Sequence, residues 1–384
     1  MNRKSVVTIF FCMLLLVVLF VGTQTFSSRN RTLYTVDIYV GVDAAYDDMV
    51  ELKARIDQVK DYTNIFILGS TGITLDEIKL NEMCEYISVR GLNFATYTHT
   101  TENTDINFNQ SAWTVYAKQH WGDNFLGLYS YDEPGGHQID MDHPYMIVTE
   151  ADNYADAANR YTTNLRNYLS EFIALDSQLL TSDYVLYEYN YRAGYDVVMA
   201  EYAWNHSRPL NTALCRGAAT MHGKEWGVML TYTYDHAPYL ASGPELYQDM
   251  VTAYQNGAKY ILVFDYAAET GDRPAHGILQ QEHLDALKQF WKYVKTHPRP
   301  SNPVNERVAY VLPPDFGYGF RGPNDWIWGL WKDSALSNPI WTDVNTYLQQ
   351  YDQKLDIIYA DSPNFDNWGY SKIIYWNGIV KTKP

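Results

Sequence analysis

The segment Phe125-Leu-Gly-Leu-Tyr-Ser-Tyr-Asp-Glu-Pro-Gly-Gly136 reads as a buried strand that runs into two carboxylates, a proline and a glycine pair. Leu126 and Leu128 share one parity, so Gly127, Tyr129, Tyr131 and Glu133 fall on the other face. Asp132 then points away from Glu133 unless the strand ends or bulges there, and Pro134 makes such an ending expected. The same parity in Thr35–Asp43 puts Val36, Ile38, Val40 and Val42 on one side and Tyr39, Gly41 and Asp43 on the other. Further acids stand at the ends of other apolar runs: Glu201, Asp235 and Asp265, with His99 closing a fourth run. Each alone is equally a solvated loop acid or a helix cap. Gathered at one rim, they could do general acid and base work, one carboxyl kept protonated by desolvation and another ionised.

Gathering them falls to the strands and helices, and these alternate along the chain. Strand-like runs followed by helical periodicity occur at 35–43 then 47–62, 64–70 then 75–90, 93–99 then 110–121, and 125–131 then 151–175. The second half repeats the pattern at 182–187, with only a short irregular link, then 197–204 with 210–222, 226–234 with 244–256, and 260–266 with 281–295. Eight such units in roughly 260 residues match a closed α/β barrel, a (β/α)8 or TIM barrel over residues 33–297, better than an open sheet. In that architecture the C-terminal strand ends face a common mouth, which is where the acids lie.

Thr296-His-Pro-Arg-Pro-Ser-Asn-Pro303 ends the last helix, because prolines cannot continue it. Beyond it, residues 304–384 read as a small α/β module, with strands at Val308–Leu312, Leu355–Tyr359 and Lys372–Tyr375 and a helix over Ile340–Tyr351. About 80 residues make a thin core, so the module is expected to dock on the barrel. The net charge of -16, with no basic run past the first residues, excludes a nucleic-acid partner that needs phosphate neutralisation. Neither a Gly-x-Ser-x-Gly elbow nor a Walker-type loop is present.

At the N-terminus, Arg3 and Lys4 precede an unbroken apolar run from Val6 to Gly22. That charge order belongs to an export signal, and the absence of a small-x-small cleavage site favours an uncleaved membrane anchor over residues 1–32 with the globular part outside the cytoplasm. Cleavage and secretion is the alternative. Of the three cysteines, Cys12 lies in the apolar run, leaving Cys84 and Cys215 for at most one internal disulfide. The triplets Asn30-Arg-Thr32, Asn109-Gln-Ser111 and Asn205-His-Ser207 fit glycan attachment on an exported surface.

Asp132-Glu133-Pro134 at the end of the fourth strand resembles the Asn-Glu-Pro motif of retaining glycoside hydrolases with a (β/α)8 barrel. The resemblance implies that Glu133 is the acid/base, that the substrate is a carbohydrate, and that no cofactor is required. Two departures stand out: Asp132 replaces the asparagine that contacts the sugar 2-hydroxyl, and Thr231-Tyr-Thr-Tyr-Asp235 carries no glutamate where those families have their nucleophile on the seventh strand. The second carboxyl is therefore expected from Asp235 or Glu201. The tail module resembles, more loosely, the flavodoxin-like domain of family 42 beta-galactosidases.

With 34 Tyr and 11 Trp the chain is rich in flat amphipathic rings, and Tyr131, Tyr187, Trp204, Tyr232, Tyr234 and Tyr266 lie near the strand ends. They are sugar-stacking candidates or core packing. Asp43, His99, Asp132 and Asp265 complete the expected binding set. The loop His137-Gln-Ile-Asp-Met-Asp-His143 mixes metal-capable residues without the spacing of a known site, and its length suits a lid or subsite wall. Two readings follow: a glycosidase working through two carboxyls, or a non-catalytic glycan-binding or cell-surface barrel. Two carboxyls facing each other across the mouth favour the first and an isolated Glu133 the second. A metal-dependent hydrolase would need three convergent ligands.

Overall fold

The computed structural model describes residues 37–98, 106–266, 277–363 and 369–382. The apolar N-terminal run and His99 lie outside them. Among the described residues, no helix is long and apolar enough to cross a membrane.

Eight strands close into a parallel barrel in sequential order: β1 (Tyr39–Ala45), β2 (Ile65–Leu68), β3 (Asn93–Tyr97), β4 (Phe125–Tyr129), β5 (Gln178–Asp183), β6 (Val197–Tyr202), β7 (Glu225–Leu230) and β8 (Tyr260–Tyr266), with β8 pairing back to β1. The helices between them are α1 (Met49–Val59), the single turn α2 (Thr71–Thr74), α3 (Glu77–Ser88), α4 (Gln110–Trp121), the short α5 (Pro134–Ile139), α6 (Tyr154–Ile173), α7 (Tyr187–Ala193), α8 (Arg208–His222), α9 (Gly243–Gln255) and α10 (Gln281–Thr296). Their starts follow local chemistry. Asp48, Asp76, Asn109, Asn153 and Ser207 each accept a backbone N–H of the first turn that follows. Inside the barrel Ile65, Ile67, Ala95, Tyr129, Leu180, Val197, Met199, Met229, Tyr260 and Leu262 form a filled apolar plug.

The expected fifth unit is displaced. Its strand runs from Gln178 to Asp183 and not over 182–187, and the link to β6 contains the seven-residue α7. The seventh strand is shorter than its sequence pattern, ending at Leu230.

After the proline-rich joint, β9 (Val308–Leu312), α11 (Ser337–Tyr351), β10 (Leu355–Tyr359), β11 (Lys372–Tyr375) and β12 (Val380–Thr382) build a four-stranded sheet in the order β10-β9-β11-β12. Its first three strands are parallel and β12 is antiparallel to β11. Residues 38–384 form one compact unit. The sheet packs on α8, where a side chain at Gly217 would place its Cβ 2.4 Å from the Ile357 carbonyl oxygen. Beside this contact Asp356, fully buried, pairs with Arg216 at 2.7 Å and Arg307 at 2.6 Å and accepts the Tyr370 hydroxyl at 2.8 Å. One carboxylate cannot neutralise two guanidiniums, and neutral acceptors share the load: the Asn256 amide oxygen and Leu355 carbonyl for Arg216, and the Thr220 hydroxyl for Arg307.

Candidate active site

The fourth strand ends at Tyr129, two residues before the parity pattern predicts, and the backbone then turns left-handed at Tyr131 (φ 54°) and again at Glu133 (φ 47°). The first turn swings Tyr131 away from the lumen: its hydroxyl donates to the Tyr145 carbonyl at 2.8 Å and its ring packs edge-on against Tyr168. Asp132 and Glu133 both face the cavity at the barrel mouth as a result. Such φ values are costly for residues with a Cβ. Asp183, at the end of β5, holds the turn in place. Its Oδ2 accepts Gly135 N–H at 2.6 Å and the Asn190 amide at 2.7 Å, while Oδ1 accepts Gly136 N–H at 2.9 Å, Tyr184 N–H at 2.8 Å and Val185 N–H at 3.3 Å. Both glycines are needed for this approach, because a Cβ at Gly135 would lie 2.6 Å from the Val185 carbonyl oxygen and one at Gly136 would lie 2.3 Å from the Tyr184 ring. Burial pushes the Asp183 carboxyl up to about 7, against the pull of its donors.

The cavity measures about 320 Å³, at the small end of ligand pockets. Four acids reach it: Asp43 from β1, Asp132 and Glu133 after β4, and Glu201 near the end of β6. Asp43 and Glu201 follow the lumen parity of their strands, Tyr39-Gly41-Asp43 and Val197-Met199-Glu201. No lysine, arginine or histidine is among the described residues that line it. Tyr129 donates to Asp132 Oδ1 at 2.5 Å, and Ser182 Oγ–H donates to Glu201 Oε1 at 2.6 Å. Tyr97, stacked 4.1 Å over Tyr129, donates to Asp43 Oδ2 at 3.3 Å. Glu133 lies close enough to Glu201 to act on its carboxyl by charge and through hydrogen bonding. Desolvation, followed by repulsion from Glu133, holds Glu201 well above the carboxylate range. Asp132 is open to solvent, yet the protein crowded round its carboxyl raises it to about 7, with Glu133 adding to the shift. Asp43 is raised by burial first and by Asp132 second. The site thus stores protons among carboxyls that cannot all ionise together.

One wall is aromatic. Trp204 stacks on Tyr232 (6.2 Å between centroids), Tyr232 meets Phe264 edge-on (5.9 Å), and Phe264 stacks on Tyr266 (5.6 Å). Tyr232, Phe264 and Tyr266 line the cavity, while Trp204, 43% exposed, lines a neighbouring one that also touches Arg321 and Trp341 of the C-terminal module.

The chain matches no family profile and no curated protein sequence. Among solved structures it is similar to GH5_18 from Streptomyces cattleya in complex with GlcNAc, with a TM-score of 0.55 and 12% identity over 89% of this chain and 99% of that one. A glutamate-to-alanine variant of GH5_18 from the same organism, in complex with Manβ1-4GlcNAc, gives a TM-score of 0.55 at 12% identity, covering 88% and 99%. The beta-1,4-D-mannanase from Cryptopygus antarcticus aligns with a TM-score of 0.45 at 11% identity over 68% of this chain and 91% of that one. The fold is a glycoside hydrolase-like (β/α)8 barrel. At such identities the likeness is one of fold alone.

Within this glycoside hydrolase-like barrel several expected residues stand elsewhere. Asp235 lies beyond the early end of β7, on the surface, 84% exposed by its side chain and paired only with the neighbouring His236 at 2.5 Å. Tyr234 shares that exposed loop. Asp265 follows the outward parity of β8, opposite Tyr260, Leu262 and Phe264, and pairs behind the barrel with Arg55 at 2.9 Å while accepting Leu279 N–H. Tyr187, 2% exposed, is packed in α7. The 137–143 loop is not a free lid: Gln138 is buried and binds the Val148 and Trp328 carbonyls, and Arg321 pairs with Asp140, so the loop ties the barrel to the module. Stacking of His137 on His143 accompanies burial that lowers His137 to about 4, and no set of three metal-capable side chains converges among the described residues. Tyr97, Ser182 and Asp183 escaped the sequence reading. For Ser182 and Asp183 the missing signal was the true start of β5.

Proposed function

We propose that the protein is a glycoside hydrolase acting on glycans through the carboxyls of Glu133 and Glu201, with its globular part held outside the cytoplasm by the N-terminal apolar segment. The observation that carries the reading is the convergence of these two carboxyls, from different strands, in one small cavity walled by aromatic rings. One carboxyl that gives a proton and a second that meets the positive charge developing on the sugar form the working unit of sugar cleavage. Glu133, half-exposed on its left-handed turn, gives its proton to the glycosidic oxygen as the bond to the anomeric carbon breaks. Glu201 supplies the carboxylate that stabilises or captures that carbon. Water then attacks the anomeric carbon, breaking any bond it has made to Glu201 and freeing that carboxylate, and loses a proton to Glu133, which is restored. Retaining enzymes hold their carboxyls about 5–5.5 Å apart and inverting ones roughly 6.5–9.5 Å.

The position of Glu133 in an Asp-Glu-Pro sequence after the fourth strand supports the same reading, as does a tail with a parallel β10-β9-β11 core, loosely like the flavodoxin-like domain of family 42 beta-galactosidases. GH5_18 was solved with GlcNAc and with Manβ1-4GlcNAc, so 4-nitrophenyl β-D-mannoside and N-acetyl-β-D-glucosaminide head the substrates to try. Glu133→Gln and Glu201→Gln should each lower kcat/KM by at least about 10²-fold. Turnover equal to wild type in either variant rejects the pair, and a sugar bound without turnover by the wild-type protein indicates a binding barrel.

A further inference from the structure

Four oxygens on the cavity floor stand in a row: Asp132 Oδ1, Tyr129 Oη, Ser182 Oγ and Glu201 Oε1, separated by 2.5, 2.7 and 2.6 Å. Each separation is that of an O–H···O hydrogen bond, so each contact must contain a proton. The phenol of Tyr129 brings one and the hydroxyl of Ser182 another. The third can come only from a carboxyl. Ser182 N–H, which reaches Tyr129 Oη at 2.8 Å, fills a lone pair of the phenol and adds no proton to the row. With both end carboxyls ionised, one contact would set lone pair against lone pair in a buried site, a desolvated and unmade hydrogen bond.

The two ends differ in access. Glu201 is 4% exposed, and Tyr129 and Ser182 are buried with it, whereas Asp132 is open to solvent. Ser182 Oγ also lies 3.4 Å from Asp132 Oδ1, a poor direct path beside the two short contacts through the phenol. The remaining charged or titratable groups round the row are Glu133, Asp43, Tyr97, Tyr187, Tyr232 and Tyr266, none of them a cation. A second negative charge on the row therefore has no compensation. Burial holds both end carboxyls above their ordinary range, in accord with the proton count.

We propose that Tyr129 and Ser182 form a proton relay that lets the buried Glu201 exchange its proton with Asp132, and through it with solvent, while a sugar fills the cavity. Glu201 O–H passes its proton to Ser182 Oγ, Ser182 O–H to Tyr129 Oη, and Tyr129 O–H to Asp132 Oδ1. Three O–H bonds break and three form, leaving Glu201 a carboxylate and Asp132 a carboxylic acid with the total charge unchanged. The relay's part in turnover rests on the Glu133–Glu201 reading, because Glu201 must be ionised at the moment Glu133 still holds its proton. Asp132, Tyr129 and Ser182 are positioning residues in this scheme.

The proton count is tested without turnover. At pH 8, above the value of about 7 for Asp132, the infrared C=O band of protonated carboxyls should shrink by one carboxyl between wild type and Asp132→Asn/Glu201→Gln, and an unchanged band or a loss of two overturns the relay. The transfer is tested by hydrolysis of a 4-nitrophenyl glycoside. Tyr129→Phe, or Ser182→Ala should the first variant fail to fold, should lower kcat at least about 10-fold at unaltered KM. Each should also displace the alkaline limb of the pH profile and abolish any multi-proton solvent isotope effect on kcat. Wild-type kcat and pH profile in either folded variant also overturn it. Full activity in Glu133→Gln and Glu201→Gln would instead reject the hydrolytic pair, leaving the infrared count to stand or fall by itself.

Discussion

Asp183 never touches the cavity, yet replacing it with asparagine should damage both stability and turnover. Its carboxylate accepts five hydrogen bonds, four of them from backbone N–H groups that have no other acceptor in the turn. The amide of Asp183→Asn retains one oxygen and sets an NH₂ group where Oδ2 had been, facing Gly135 N–H and the Asn190 amide. Asn190 can escape by flipping, since its Oδ1 partner, the Tyr161 hydroxyl at 2.7 Å, can accept as well as donate. Gly135 N–H cannot. One buried orphaned donor costs about 1–3 kcal/mol, and the loss of charge assistance in the remaining bonds adds roughly 1 kcal/mol, giving about 2–4 kcal/mol in all. Urea unfolding at pH 8, where the wild-type carboxyl is ionised, measures the loss. The released turn would let Glu133 drift, and a displacement near 1 Å is worth on the order of 10² in rate. A variant within about 1 kcal/mol of wild type, with kcat intact, would show that Asp183 does not set the Asp132–Glu133 turn.

Asp235→Asn should leave kcat/KM within about 2-fold, because an exposed surface pair contributes little, and a larger fall would return Asp235 to the catalytic set. Glu201→Gln should raise the thermal midpoint at pH 8 and lose that advantage on acidification. The native carboxyl binds its proton more tightly than the unfolded one, so its contribution to stability is complete below the unfolded pKa and is lost as pH rises towards the folded value. A midpoint lowered at pH 8 would contradict the raised pKa. Asp356→Asn strands two buried guanidiniums between barrel and sheet and should cost about 3–5 kcal/mol in urea unfolding; a loss below about 1 kcal/mol would show that water reaches the pair.

Where a strand keeps its pleat to the end, sequence parity is enough to place a side chain. Asp43 and Glu201 enter the cavity because β1 and β6 stay regular, and the same count on β8 would have sent Asp265 outward had its lumen set, Tyr260, Leu262 and Phe264, been followed. The alternation of strands and helices likewise gave the barrel, since eight parallel strands have few ways to bury both faces. What stayed illegible depended on long-range support. Left-handed Tyr131 and Glu133 violate local preference and persist because Asp183, some fifty residues on, holds the turn. The apolar pattern of β7 runs on through residues that leave the sheet at Leu230, which is why Asp235 was expected at the rim. Tyr187 fell to a short helix that its neighbours make only once packed.

Helix α8 shows water almost none of its length: Leu210 to Ala219 are all buried, and so is Met221. An ordinary outer helix of such a barrel keeps a wet side, but here that side is roofed by the C-terminal sheet, with Gly217 pressed against Ile357. Cutting the polypeptide at the proline-rich joint would therefore bare Leu214, Gly217 and Met221 together with an unmatched Arg216. A shortened barrel is destined to aggregate, and anyone trimming this protein for expression should keep the tail.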